Sequence, residues 1–277
     1  MLMLSINTDF QRDDGDPEPS LRQIAGAGFT HIHWVHHWGD DYLYSRHEIA
    51  QIGRWLNDYG LTLNDLHASA GREKYWLSEH EYARLSGVEL VKNRIEMTAV
   101  LGSDTIVLHL PAEPTSPEWN PPFWDHLYRS LDELLPFAQA QGVRLAMENL
   151  YPVNHATLHR VLAEFSPDEI GICYDPGHGN IVGGGLDFIE EAKDRLIALH
   201  LNDNDSSWDQ HNFIFSATVD WERMARIIAA SPYQKPLGLE LTINHSGIED
   251  GREFLAQAME TSERFARMVE EAGTAGE

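Results

Sequence analysis

The sequence predicts an α/β protein, a single (β/α)8 TIM barrel spanning residues 1–277 as one domain. Two observations predict it. Short runs rich in Ile, Val and Leu alternate eight times with longer segments of helical period, and no break in composition divides the chain. A length of 277 residues also suits a one-domain barrel. The alternative is an open doubly wound sheet. It would favour a glycine-rich phosphate loop after the first strand, and none follows here.

The predicted strands, in order, cover residues 2–8, 31–35, 61–67, 105–110, 144–148, 170–175, 196–201 and 237–241. The clearest predicted helices cover 79–101, 124–141 and 252–271. In the first, Tyr82, Leu85, Val88, Val91, Ile95 and Val100 recur near helical spacing. Gly28, Gly60, Gly102 and Gly142 stand at returns from helix to strand, where a left-handed residue commonly ends the helix. The tail 272–277 is expected to fray.

Hydrophobic residues make up 42% of the chain, enough for a sizeable core. Lys and Arg total 20 against 44 Asp and Glu, a net charge of −24. That balance disfavours non-specific nucleic-acid binding, which depends on cations that neutralise phosphates. No apolar run approaches the roughly 20 residues of a membrane span. The start lacks the basic region of a signal peptide and reads as a first strand. Cys173 is the only cysteine, so no intrachain disulfide forms. A cytoplasmic protein without membrane contact is expected, and homo-oligomers stay open.

Ligand-type side chains gather at the carboxy ends of the later strands. Strand three ends in His67, four in His109, five in Glu148-Asn149, six in Asp175-Pro176-Gly177-His178, seven in His200-Leu201-Asn202-Asp203 and eight in Glu240. The loop after strand seven adds Asp209-Gln210-His211. A barrel brings these ends to one mouth. Carboxylates that follow apolar residues are costly to bury unless paired, hydrogen-bonded or bound to a metal. A lone His or Glu there is usually a structural hydrogen-bonder, but six successive strands ending this way point to a divalent ion. Mixed His and carboxylate donors suit Mn2+, Zn2+, Co2+ or Mg2+.

With those residues in order, the chain resembles the xylose isomerase-like barrel superfamily. That group holds sugar and sugar-phosphate isomerases and epimerases together with type-IV AP endonucleases. The resemblance spans nearly the whole chain. It rests on Glu148-Asn149, on Gly171-Ile-Cys-Tyr-Asp175-Pro-Gly-His178-Gly-Asn180, on His200-Leu-Asn-Asp203 with Asp209-Gln-His211, and on Gly238-Leu-Glu240. It implies that Glu148, Asp175, His200 and Glu240 hold one divalent metal ion, and that His178 contacts substrate. It also implies that Glu148 and Glu240 are catalytic and move a proton beside a sugar carbonyl, through an enediolate that the metal stabilises. The expected partner is a small-molecule sugar or sugar phosphate.

The endonuclease branch binds three zinc ions, and His67, His109, His178, Asp209 and His211 match its additional ligand positions. An AP endonuclease with additional zinc ions is therefore an alternative, as is a non-catalytic sugar-binding barrel. The chain departs from the nuclease pattern at Gln210, where that branch has an arginine, and near Ala70, where it has a tyrosine. Pro176-Gly177 between Asp175 and His178 looks like the sugar-converting relatives.

Several other residues have two readings. Asn149, Asn202 and Asp203 either orient ligands or cap turns. Trp38 and Trp76 either stack on a sugar ring or pack on the barrel. Trp119, Phe123 and Trp124 follow a proline-rich loop at 111–122 that reads as a lid or an oligomer contact. Arg72, Lys74 and Arg94 are candidate phosphate contacts, although scattered cations are usually solvated. Of His33 and Trp34, only one can face the barrel interior.

Overall fold

The computed structural model describes residues 2–11, 15–113 and 121–274. Among them, strands and helices alternate as β1 (Leu4–Asn7), α1 (Glu18–Gly26), β2 (His31–Trp34), α2 (Arg46–Tyr59), β3 (Thr62–His67), α3 (Glu81–Val100), β4 (Thr105–His109) and α4 (Pro121–Ala140). The second half runs β5 (Arg144–Glu148), α5 (His155–Glu164), β6 (Ile170–Tyr174), α6 (Pro176–Val182), α7 (Gly185–Ala192), β7 (Leu196–Leu199), α8 (Trp221–Ala229), β8 (Leu237–Leu239) and α9 (Gly251–Thr274).

The eight strands are parallel in the order β7-β6-β5-β4-β3-β2-β1-β8. The ring closes just past the end of β7, where Leu201 bridges Leu239. Leu201 donates to the Gly238 carbonyl at 2.8 Å and accepts from the Glu240 amide at 3.2 Å. The fold is a (β/α)8 barrel, as the alternation of strand and helix predicts.

Register fixes which side chains enter the barrel. Asn7 pairs with His33, His33 with Asp65, His109 with Glu148 and Glu148 with Cys173, and paired residues share a face. Val107, Ala146, Cys173 and Ala198 form part of a small interior cluster, separate from the large core between strands and helices. Glycines complete the interior on β6 and β8. A Cβ on Gly238 would lie 2.4 Å from the Leu199 carbonyl oxygen, too close to be accommodated. The interior of β5–β8 is thus built from small residues, while His33 and Asp65 fill the opposite side.

The expected returns at Gly28, Gly60, Gly102 and Gly142 all have positive φ, between 66° and 98°. Several boundaries and faces differ from expectation. β7 and β8 each end two residues early, because the chain leaves regular pairing once it reaches the mouth. The helix predicted from Trp124 begins at Pro121, since proline is accepted in a first helical turn. The rest of the proline-rich loop, Trp119 included, lies outside the described residues. On α3, Val88, Val91 and Ile95 are buried, whereas Tyr82 is 75% exposed and Leu85 and Val100 also face outward. α9 continues to Thr274 rather than fraying at 272, and 275–277 lie outside the described residues. No described helix is long and apolar enough to cross a membrane.

Candidate metal centre at the barrel mouth

Glu148, Asp175, His200 and Glu240 meet at the ends of β5 to β8. Each offers a donor atom, and these four atoms all lie within 4.8 Å of one another. His200 Nδ1 stands between two carboxylates, 3.0 Å from Glu148 Oε1 and 3.1 Å from Glu240 Oε2. The first three residues are buried and Glu240 is partly exposed.

Two further clusters flank this group. On one side, His109 Nε2 lies 3.1 Å from Glu148 Oε2 and 3.0 Å from His67 Nε2. His67 Nδ1 donates to the Ala68 carbonyl at 2.8 Å, which turns its other nitrogen toward the centre. On the other side, Asp209 Oδ2 accepts from His178 Nε2 at 3.2 Å and from His211 Nε2 at 2.9 Å. His178 Nδ1 donates to the Asn149 carbonyl at 2.8 Å. All nine candidate residues therefore converge on one mouth.

Local structure explains the convergence. Asp175 caps α6, accepting the His178 amide at 2.7 Å, and Pro176 fits the first turn that follows. Asn149 binds the Asp175 backbone twice, through its Oδ1 at 2.7 Å and its Nδ2 at 2.8 Å, and so locks the end of β6 to β5. Asn202 Nδ2 donates to Asp175 Oδ2 at 2.7 Å and orients the carboxylate itself. Asp203 works differently. Its carboxylate accepts from the amides of Ala217 and Val219 and from Trp221 Nε1, pinning the loop that carries Asp209 and His211.

The electrostatics suit a cation. Burial works against ionisation of Glu148, but His200 and His109 outweigh it and hold the carboxyl well below its ordinary range. Glu240 is held low in the same way, by His200 against burial. Burial instead pushes Asp175 up to about 6. His67 is pushed down to about 3 by burial and by His109. His178 is raised despite burial, through Asp175, Asp209 and Glu148. Among the described residues, Glu148 Oε2 and Asp209 Oδ1 are buried without a hydrogen-bond partner. Unsatisfied buried acceptors beside convergent imidazoles fit a divalent ion, with donors that are all nitrogen and oxygen.

The remaining candidates separate. Trp38 is 38% exposed, and its ring lies 5.0 Å from His67 and 5.3 Å from His109, so it covers the mouth. Trp76 is 1% exposed and packs between α3 and α4, its carbonyl accepting from Ser130. Arg94 is buried with its guanidinium 4.3 Å from the Tyr44 ring, which removes it from any phosphate. Arg72 and Lys74 sit on a loop whose amides converge on Asp41. Phe123 and Trp124 belong to α4. His33 points inward and Trp34 outward, against Tyr44.

Sequence reasoning missed Asp9, just past β1. Burial and Glu240 raise its carboxyl above the ordinary value, against a hydrogen bond from Asn7. It also missed Asp65, which pairs with His33 beneath the centre. An acidic residue after strand one was the available signal for Asp9.

Fold and site together define a barrel whose mouth gathers a cluster of His, Asp and Glu side chains that could hold a metal ion. The sequence model described as xylose isomerase-like TIM barrel matches residues 21–258, and the chain belongs to that family. An uncharacterized protein, y4fM of Sinorhizobium fredii, is 34% identical over 247 residues, covering 80% of this chain and 79% of that one. Among solved structures, an L-ribulose 3-epimerase superposes with a TM-score of 0.79 at 18% identity, over 100% of this chain and 97% of the other. A D-tagatose 3-epimerase-like protein gives the same TM-score of 0.79 at 18% identity, over 98% and 99% of the two chains.

Proposed function

We propose that the protein is a divalent-metal-dependent isomerase or epimerase acting on a sugar or sugar phosphate. The placement of His200 Nδ1 between Glu148 and Glu240 carries this reading, since it sets two carboxylates from different strands around one point. Glu148, Asp175, His200 and Glu240 would hold the ion. When bound, the ion supplies a positive charge that polarises a carbonyl and stabilises the adjacent carbanion. Glu148 and Glu240 are both kept ionised, the state a general base requires. One removes a proton from the carbon beside the carbonyl, and the same or the facing carboxyl returns it. His178, fixed through Nδ1 to the Asn149 carbonyl and through Nε2 to Asp209, lines the mouth beside the substrate hydroxyls. Trp38 shields the mouth from water. Similarity to solved sugar epimerases supports the substrate class.

A second reading follows from the flanking clusters. His67-His109-Glu148 and Asp175-His178-His211 each satisfy the spacing of a metal site and share a carboxylate with the central group. That arrangement suits three ions and an endonuclease. Against it, Gln210 Oε1 accepts from the Asp205 amide at 2.8 Å, so this residue is folded into its own loop where a phosphate reader would need a cation.

Metal analysis of protein purified without chelator, with assays on free and phosphorylated ketoses, separates the readings. One ion per chain and sugar conversion support the first. Three zinc ions with cleavage at abasic sites overturn it in favour of the second.

A further inference from the structure

Below the ring of candidate ligands, His33 from β2, Asp65 from β3 and His200 from the end of β7 meet near the barrel axis. Their exposures are 1%, 0% and 0%. His33 Nδ1 hydrogen-bonds Asp65 Oδ1, and Asn64 Nδ2 donates to Asp65 Oδ2 at 2.6 Å. The His33 ring lies 4.3 Å from the His200 ring at 51°, and donor atoms of all three residues lie within 4.8 Å of one another. His33 Nε2 and His200 Nε2 are both buried with no hydrogen-bond partner among the described residues.

A packing role does not account for this layer. Apolar side chains of similar volume would fill it without the cost of desolvating a carboxylate and two imidazoles. The neighbouring interior positions, Val107, Ala146 and Ala198, are filled in that way. His200 supplies the missing reason. Its Nδ1 faces the two glutamates, so its Nε2 is left to carry the ring proton. An imidazole that binds a metal through one nitrogen needs a partner for the N–H on the other, and that partner sets ring orientation and ligand basicity.

We propose that the Asp65–His33 pair is the positioning unit for His200. It holds the ring so that Nδ1 addresses the ion, and the Asp65 carboxylate behind His33 raises the ring's strength as a ligand. Neither residue touches substrate; both act through His200. The inference rests on the ion-binding reading of the mouth.

The test uses the full chain, stripped with chelator and titrated with Co2+ by calorimetry and visible absorption. The variants are Asp65→Asn and His33→Phe, with Tm measured on each metal-free protein. Loss of the support is expected to weaken Co2+ binding about 10- to 100-fold in either variant. The cobalt absorption band shifts, and the double variant binds no worse than the weaker single one, because the pair acts as a unit. If Asp65→Asn does not fold, His33→Phe and His33→Gln decide the matter. Variants that bind Co2+ within twofold of the parent, with an unchanged band, overturn the support while leaving the ion site standing. A parent protein that takes up no Co2+, Mn2+ or Zn2+ overturns the ion site itself, and the support with it.

Discussion

The two ends of the same barrel treat polar groups in opposite ways. At the floor, Lys235 Nζ binds Asp104 Oδ1 at 2.6 Å and Thr105 Oγ1 at 2.9 Å. Although burial opposes it, that contact draws the Asp104 carboxyl below its ordinary value. Arg195 donates to the Leu162 and Phe165 carbonyls at 2.6 and 3.0 Å. Lys235 is thus paired with a carboxylate, and Arg195 is held by backbone carbonyls although its Nε is buried without a partner among the described residues. At the mouth, carboxylates and imidazoles crowd together, and Glu148 Oε2 and Asp209 Oδ1 have no hydrogen-bond partner among the described residues. The floor ties the chain together, and the mouth holds polar groups in reserve for a ligand. The same division holds across barrels of this type, where sites sit at the carboxy face.

The contrast breaks most sharply at the two glutamates. Glu148→Gln or Glu240→Gln is expected to lower kcat by about 100- to 10,000-fold, the usual range for losing a general base. The metal-free Tm should fall modestly, because each change removes an ionised carboxylate that His200 favours in the folded chain, while the fold itself is kept. Steady-state kinetics beside thermal melts check this, and a variant that keeps most of its turnover removes that residue from the proton chemistry.

Next is the response to pH. Despite burial, hydrogen bonding to Asp209 and the charge of Glu240 raise His211 from 6.5 to about 9. Between those values the folded metal-free chain keeps a proton that the unfolded chain has released. This contribution is complete below about pH 6.5 and disappears as pH climbs through about 9. The metal-free Tm should therefore fall across that window. The charge of a nearby ion opposes the His211 proton, so stabilisation by Mn2+ should grow across the same window, and it amounts to about 2.7 kcal/mol at a hundredfold excess over Kd. Parallel slopes with and without the ion would mean that His211 does not sense the centre.

A smaller effect is expected at Asp9, the mouth carboxyl just past β1. Asp9→Leu should raise KM about tenfold through a lost substrate hydrogen bond of roughly 1.4 kcal/mol, with Mn2+ affinity unchanged. A change in metal affinity with no change in KM would place Asp9 with the ligands instead. The smallest effect belongs to the floor. Lys235→Met should cost about 1 kcal/mol of stability by denaturant melts and leave kcat intact. A loss of turnover there would join the two ends that the structure separates.

The barrel was legible because each strand carries its own apolar run and each return its own turn signal. The inner four candidates were legible because each follows such a run directly, at the point where a barrel places its mouth. Asp65 was not, for a physical reason. Leu63 and Asp65 are two residues apart, and a regular strand would put both on one face. An irregularity between Ile32 and His33 shifts the register, so Leu63 pairs with Ile32 and Asp65 with His33. Asp9 escaped because it lies beyond the regular strand and only folding brings it near Glu240. The split between Trp38 and Trp76 was also hidden, since only the fold sets Trp76 against Gly87 of α3 and Ser130 of α4 and leaves Trp38 over His67 and His109.

Closure of the ring has one further consequence. Seven neighbouring strand pairs are joined by ladders, whereas β7 and β8 meet through the bridge at Leu201 and Leu239. His200 precedes the first of those residues and Glu240 follows the second. An ion gripped by both would act as a clasp across the thinnest seam of the wall, and amide exchange at Leu201 and Glu240 would then slow together on loading.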